Sequence, residues 1–157
     1  MVKSPEHNAE QVFAQFNALP GIKFVRSMMN KGEYSPMGEL LGIKVVAVDD
    51  GRVTIEAMPA QKFYNPMLRI HGGYVATLID TAMGSAVLTK MGAGQGVGTI
   101  VLNVNYVGKI DVAKGLLRGT GQVLHAGRTM LTAECKLTDI KGKLLAHGTG
   151  TFLVYPK

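Results

Sequence analysis

The chain has 157 residues, of which 17 are basic and 11 acidic, giving a net charge of +6, with one cysteine and no tryptophan. That length suits one domain, and a domain of this size builds its core without disulfide staples. A lone cysteine excludes an internal disulfide and, with the polar start Met1-Val2-Lys3-Ser4-Pro5-Glu6-His7, points to a reducing compartment, the cytoplasm, and to no signal peptide. The basic residues form no run and aromatics are few, which reads as solvated surface rather than a nucleic-acid footprint. A phosphate-bearing small molecule would suit the same mildly basic surface.

In chain order, residues 5–19 predict a short helix, with Ser4-Pro5 as its start signal and Val12, Phe13, Phe16 and Leu19 on one side. Pro20-Gly21 ends it. Residues 22–36 read as a loop with room for a helical turn, and Gly38 onward leads into a strand. That strand, 43–48, is rich in β-branched residues. Asp49-Asp50-Gly51 is a hairpin turn signal, and 52–58 alternates as the returning strand. A loop then carries Phe63, Tyr64 and Asn65 towards the centre of the chain.

Beyond the flexible connector Gly92-Ala93-Gly94-Gln95-Gly96, four strand-like runs follow at 97–106, 114–124, 129–139 and 143–155. Gly108-Lys109, Ala126-Gly127-Arg128 and Lys141-Gly142 mark the turns between them. In the first run, alternation groups Thr99, Val101, Asn103 and Asn105 against Ile100, Leu102, Val104 and Tyr106. Cys135 lies in the alternating segment from Leu131 and reads as a strand residue, not a nucleophile. Closely spaced strands joined by tight turns imply an antiparallel sheet.

Between the two sets of strands lies 65–89. From Tyr74, the residues Val75, Leu78, Ile79, Ala82, Met83, Ala86 and Val87 recur at helical spacing, and the rest are mostly Ala, Gly, Ser and Thr. A helix apolar on nearly every side is buried on most sides. It is under ~18 residues and is interrupted by Asp80, so it is not a membrane span. Asp80 is its single charge, and an uncompensated buried carboxylate costs several kcal/mol. At the entry, His71-Gly72-Gly73 offers bare N–H groups at the positive end of the helix dipole, suited to a developing negative oxygen.

The run Asn65…His71-Gly72-Gly73…Asp80, with Asn six residues before the His and Asp nine after it, resembles the PaaI-like (phenylacetate-degradation type) acyl-CoA thioesterases of the hot-dog fold. The resemblance spans residues 35 to 155. It implies an α+β fold with a curved antiparallel sheet of about six strands around the long helix. The domains are then 1–34, an N-terminal extension without a functional reading, and 35–157, the thioesterase domain.

The resemblance also implies roles. Asp80 becomes the general base or nucleophile at a thioester carbonyl; otherwise it is a buried Asp held by hydroxyls for fold specificity. Gly72 supplies the oxyanion donor, with Gly73 beside it; plain close-packing glycines are the alternative. Asn65 positions the thioester or water, or only caps a turn. His71 orients the site more readily than it serves as base, and Thr99 falls where related enzymes carry a Ser or Thr that assists the acid, or is only an inward-facing strand residue. Gly73, Tyr106, Lys109, His125, Gly127 and Arg128 are assigned to substrate binding. Of these, Lys109 and Arg128 sit in turns along the nucleotide end of coenzyme A, where a solvated charge is the plainer reading.

The reaction implied is hydrolysis of a small aryl- or medium-chain acyl-CoA to the free acid and coenzyme A, without a cofactor. A non-catalytic acyl-CoA sensor of the same fold is the alternative. The four histidines and one cysteine show no metal-ligand spacing, and neither a phosphate loop nor a Gly-x-Ser-x-Gly elbow is present. One inference is geometric. An attacked carbonyl lies ~3 Å from its oxyanion donor and near the base, yet Asp80 is eight residues beyond Gly72, about 12 Å along a helix. The two must come from different copies of the helix. A homodimer is the minimum, and a dimer of dimers (a homotetramer) is expected.

Overall fold

Helix α4 (Gly72–Leu88) is the centre of the molecule. It buries Tyr74, Val75, Leu78, Ile79, Ala82, Met83, Ala86 and Val87. The computed structural model describes residues 5–32 and 34–155; the start signal at Ser4 and the side chain of His7 lie outside them. Around α4 curls a six-stranded antiparallel sheet of β1 (Ile43–Asp49), β2 (Arg52–Ala57), β3 (Gly96–Tyr106), β4 (Leu117–Ala126), β5 (Met130–Asp139) and β6 (Leu144–Tyr155). The spatial order is β1-β2-β4-β5-β6-β3, which leaves β1 and β3 as edges. The hot-dog arrangement expected from the sequence is the one observed.

Close approach between helix and sheet depends on missing side chains. A Cβ at Gly121 of β4 would run into the Ala82 carbonyl of α4, and one at Gly148 of β6 would stand 2.8 Å from Ile79 Cγ2. At the far end, the Thr89 hydroxyl accepts from the Gly51 N–H at 2.8 Å and donates to the Ala86 carbonyl at 2.6 Å. That one side chain ties the β1–β2 turn to the end of α4. Among the described residues no helix is long and apolar enough to cross a membrane.

The region expected to be a loop is a correction. Residues Gly21–Lys31 form an eleven-residue helix, α2, after α1 (Pro5–Ala18), and Pro36–Leu41 form a short helix, α3. Helix α2 begins after Pro20, ends on the left-handed Gly32, and buries Phe24 and Val25. The spacing of Ile22, Val25, Met28 and Met29 is helical, but Pro20-Gly21 reads as a stop and masks it. Tertiary burial in the common core stabilises the helix. Residues Val112–Lys114 form a 3-10 turn capped by Asp111, so β4 starts three residues later than expected.

Strand β3 carries a second correction. Thr99 pairs with Phe152 and Val101 with Thr151, so Ile100 is an extra residue in a bulge. A bulge shifts the side-chain alternation by one. Thr99 thereby joins Leu102, Val104 and Tyr106 on the helix-facing side, while Val101, Asn103 and Asn105 face outward. The clean alternation read from the sequence does not survive the bulge.

Phe24 is only 5% exposed. Phe24→Ala should therefore lose about 3 kcal/mol of stability, measured by urea or guanidinium unfolding. A change under about 0.5 kcal/mol would mean that α2 is not part of the core.

Candidate active site

Asp80 sits half-buried in the middle of α4, and Thr99 Oγ1 donates to its Oδ1 at 2.9 Å. Helix-facing placement of Thr99 is the direct result of the β3 bulge. The pair opens onto a cavity of about 470 Å³. A carboxylate with one oxygen held by a hydroxyl retains lone pairs on the other for a water or a carbonyl carbon.

The helix entry is built by His71. Its Nδ1 accepts from the Gly73 N–H at 2.8 Å, and its carbonyl accepts from the Tyr74 N–H at 3.0 Å. With Nδ1 as acceptor, the ring proton of a neutral His71 lies on Nε2, which leaves no free basic nitrogen. His71 is the N-cap. Of the two glycine N–H groups, Gly73's is taken, and Gly72's has no partner among the described residues. Tyr106 Oη donates to the Gly72 carbonyl at 3.0 Å, pinning that peptide from the far end of β3.

Gly72, Gly73, Arg69, Tyr106 and Lys109 line a second cavity, of about 450 Å³. Neither Asp80 nor Thr99 borders it. Within one chain the carboxylate and the free N–H thus face separate spaces.

Asn65 organises the loop before the helix. Its Oδ1 accepts from the N–H groups of Met67 and Arg69 at 3.0 and 3.2 Å, which folds a tight turn with Leu68 at φ 56°. The turn-capping role is observed; the side-chain NH₂ keeps no partner among the described residues. Lys109 lies 3.4 Å from the Asp111 carboxylate at the rim of the second cavity. His125, Gly127 and Arg128 occupy the exposed end of the β4–β5 hairpin, apart from both cavities, where the Gly127 N–H bonds to the Met130 carbonyl at 2.9 Å.

Two titratable groups are displaced by burial. The Tyr74 hydroxyl, stacked on Phe63 with ring centres 4.4 Å apart, is pushed up to about 12. The Cys135 thiol is pushed up to about 12, chiefly by burial. Of the residues lining the Asp80 cavity, only Asp80 and Thr99 were assigned to the site from the sequence; those missed include Phe16, from α1. Its only signal was a place on the apolar side of the first helix.

This geometry can be set beside known proteins. Residues 69–146 match the thioesterase superfamily. A conserved protein of Pseudomonas aeruginosa has the same fold at a TM-score of 0.73 and 31% identity, over 83% of this chain and 98% of its own. The chain belongs to the thioesterase superfamily. Thioester hydrolysis is the chemistry of that class. Another superfamily relative, 1,4-dihydroxy-2-naphthoyl-CoA hydrolase of Listeria monocytogenes, is 26% identical over 76% of this chain and 95% of that enzyme. A phenylacetic acid degradation-related protein of Ralstonia eutropha is 27% identical with a TM-score of 0.73, over 81% of this chain and 97% of its own. The PaaI-like character expected from Asn65, His71-Gly72-Gly73 and Asp80 agrees with these similarities.

Cys135 should be inert in this superfamily member. A thiol raised to about 12 holds almost no thiolate at pH 8, and the side chain is 1% exposed. A disulfide reagent at pH 8 should leave the native protein unlabelled and release one equivalent only after denaturation. Rapid labelling of the native protein would contradict the burial.

Proposed function

We propose that this chain is an acyl-CoA thioesterase for a small aryl- or medium-chain acyl group, with each active site shared between two subunits. Acyl-CoA hydrolysis in general goes with the relatives; the residue roles and the shared site are our reading of the geometry. The observation that carries it is the position of the two half-sites on β3. Thr99, which holds Asp80, is near one end of the strand, and Tyr106, which holds Gly72, is at the other.

Strand β3 is eleven residues long and pairs on one side only, with β6. Its Ile100, Val101 and Leu102 are exposed, as is Val107 just beyond. A long apolar edge of this kind is a template for another strand. Antiparallel pairing of two copies about a two-fold axis near Leu102 and Asn103 sets Thr99 of one subunit towards Tyr106 of the other. Asp80 then approaches Gly72 of the partner subunit, the pairing that helix spacing forbids within one chain.

In such a site, Asp80 takes a proton from water, and the hydroxide adds to the thioester carbon. The Gly72 N–H of the partner subunit holds the oxyanion. Collapse breaks the C–S bond, and the thiolate takes a proton to leave as coenzyme A. The other course is direct attack by the carboxylate, giving an anhydride that water cleaves. The Asn65 NH₂, free while its Oδ1 caps the turn, is placed to orient the thioester or water. A regulator that merely bound acyl-CoA would have no use for a carboxylate held at the carbonyl.

Asp80→Asn should keep the fold and reduce kcat by ~10²–10⁴, the scale for a lost positioned base; wild-type thiol release by this variant would leave Asp80 with a structural role only. Single turnover in ¹⁸O-water separates the two courses, since only carboxylate attack carries label into Asp80.

The shared site has its own test in co-expressed Asn65→Ala and Asp80→Ala chains. Each homodimer should be nearly inactive. A mixed dimer gathers both lesions in one site and none in the other, so random pairing restores about a quarter of wild-type activity. Mixed dimers isolated by two tags and no more active than the parents would place the whole site within one chain.

A further inference from the structure

We infer that the cavity behind Asp80 is the acyl pocket, and that Phe16, on the N-terminal helix outside the superfamily match, is the wall that limits the acyl group it admits. The inference rests on the hydrolase reading above.

The cavity runs from Asp80 along the last turns of α4, lined by Thr81, Ser85 and Leu88 from the helix and Val97 and Phe152 from the sheet. Phe16 lines it too, beside the start of β3. A Cβ built at Gly96, where β3 begins, would stand 4.0 Å from Phe16 Cζ, so the ring edge reaches across to the strand. Apolar and aromatic walls, here Phe16, Leu88, Val97 and Phe152, with a few polar groups, here Asp80, Thr81, Ser85 and Thr99, are the usual character of a site that grips an apolar ligand and fixes its reacting end.

Gly84 indicates that the space is kept open. Glycine inside a helix is unfavourable relative to alanine; in the strands, at Gly121 and Gly148, a close backbone explains the missing side chain. At Gly84 it does not. A Cβ there would meet only Phe152, at an ordinary 3.8 Å. Packing leaves room for a side chain, and what its absence preserves is cavity.

Phe16 is a firm wall. It sits edge-on to Phe24, with ring centres 5.5 Å apart, and Phe24 is in the core. The Phe16 carbonyl accepts from the Gly94 N–H at 3.3 Å, and one residue earlier Gln15 Oε1 accepts from the Ser27 hydroxyl at 3.1 Å. A cavity of about 470 Å³ bordered by this ring suits a compact acyl group, above all an aromatic one that can meet Phe16 and Phe152 edge-on. A long straight chain would have to displace Phe16.

The test measures kcat/KM for acetyl-, phenylacetyl-, hexanoyl- and dodecanoyl-CoA by thiol release, in wild type, Phe16→Ala, Phe16→Leu and Gly84→Leu, each confirmed folded by circular dichroism. Wild type should favour phenylacetyl- or hexanoyl-CoA over dodecanoyl-CoA. Phe16→Ala should raise the dodecanoyl-to-phenylacetyl ratio at least tenfold, with Phe16→Leu between. Gly84→Leu should lower the phenylacetyl-to-acetyl ratio at least tenfold. Unchanged ratios in the folded variants would overturn the pocket assignment while the hydrolase reading stood. Failure of wild type on the whole panel, or Asp80→Asn at full rate, would remove the hydrolase reading and this inference with it.

Discussion

Everything in this molecule depends on how closely one apolar helix approaches the sheet that wraps it. The approach is set where β4 and β6 present Gly121 and Gly148 to α4: strand backbone meets helix backbone at Gly121, and the Ile79 side chain fits directly against Gly148. Helix-facing strand residues such as Ile55, Leu117, Leu131 and Leu137 then fill the remaining space around α4 and are almost wholly buried. Interiors packed at this density transmit small displacements. A side chain forced into the Gly121 position would shift the segment that carries Asp80 two residues away.

The same packing explains why one charge is tolerable on α4. Asp80 lies where the helix leaves the shelter of the sheet, half-buried instead of sealed, and Thr99 satisfies one of its oxygens. The bulge at Ile100 brings that hydroxyl to the helix side. Without it, Thr99 would face outward and the carboxylate would lose its donor. The local irregularity in β3 and the placement of the Thr99 hydroxyl at the candidate site are one event, a common coincidence of bulges and sites.

The central helix was legible because its period, its lack of charge and its His-Gly-Gly entry all agree on one assignment. The strands were legible to within a few residues for the same reason. Helix α2 was not, although Ile22, Val25, Met28 and Met29 fall at helical spacing, because Pro20-Gly21 reads as a stop and serves here as the start of a second helix. The bulge was also hidden: a period-two pattern looks continuous whether or not one residue is looped out, and only pairing with Thr151 and Phe152 reveals the slip. For the candidate site, the sequence named Asp80, Thr99 and the Gly72 N–H, but not why that N–H and not Gly73's is free, since this depends on how the His71 ring turns.

An edge like β3 also governs the life of a newly made chain. The unpaired side of an eleven-residue edge strand that carries exposed Ile100, Val101 and Leu102, with Val107 just beyond, will accept any extended segment that arrives first. In a crowded cell or a concentrated lysate, the competitors include partly folded copies of the same polypeptide. Synthesis rate and temperature therefore decide how much protein is recovered as well as how fast it folds. Slow expression at low temperature favours orderly capture of the edge. Strong induction favours insoluble deposits, and heating beyond the transition leads to precipitation that cooling does not reverse.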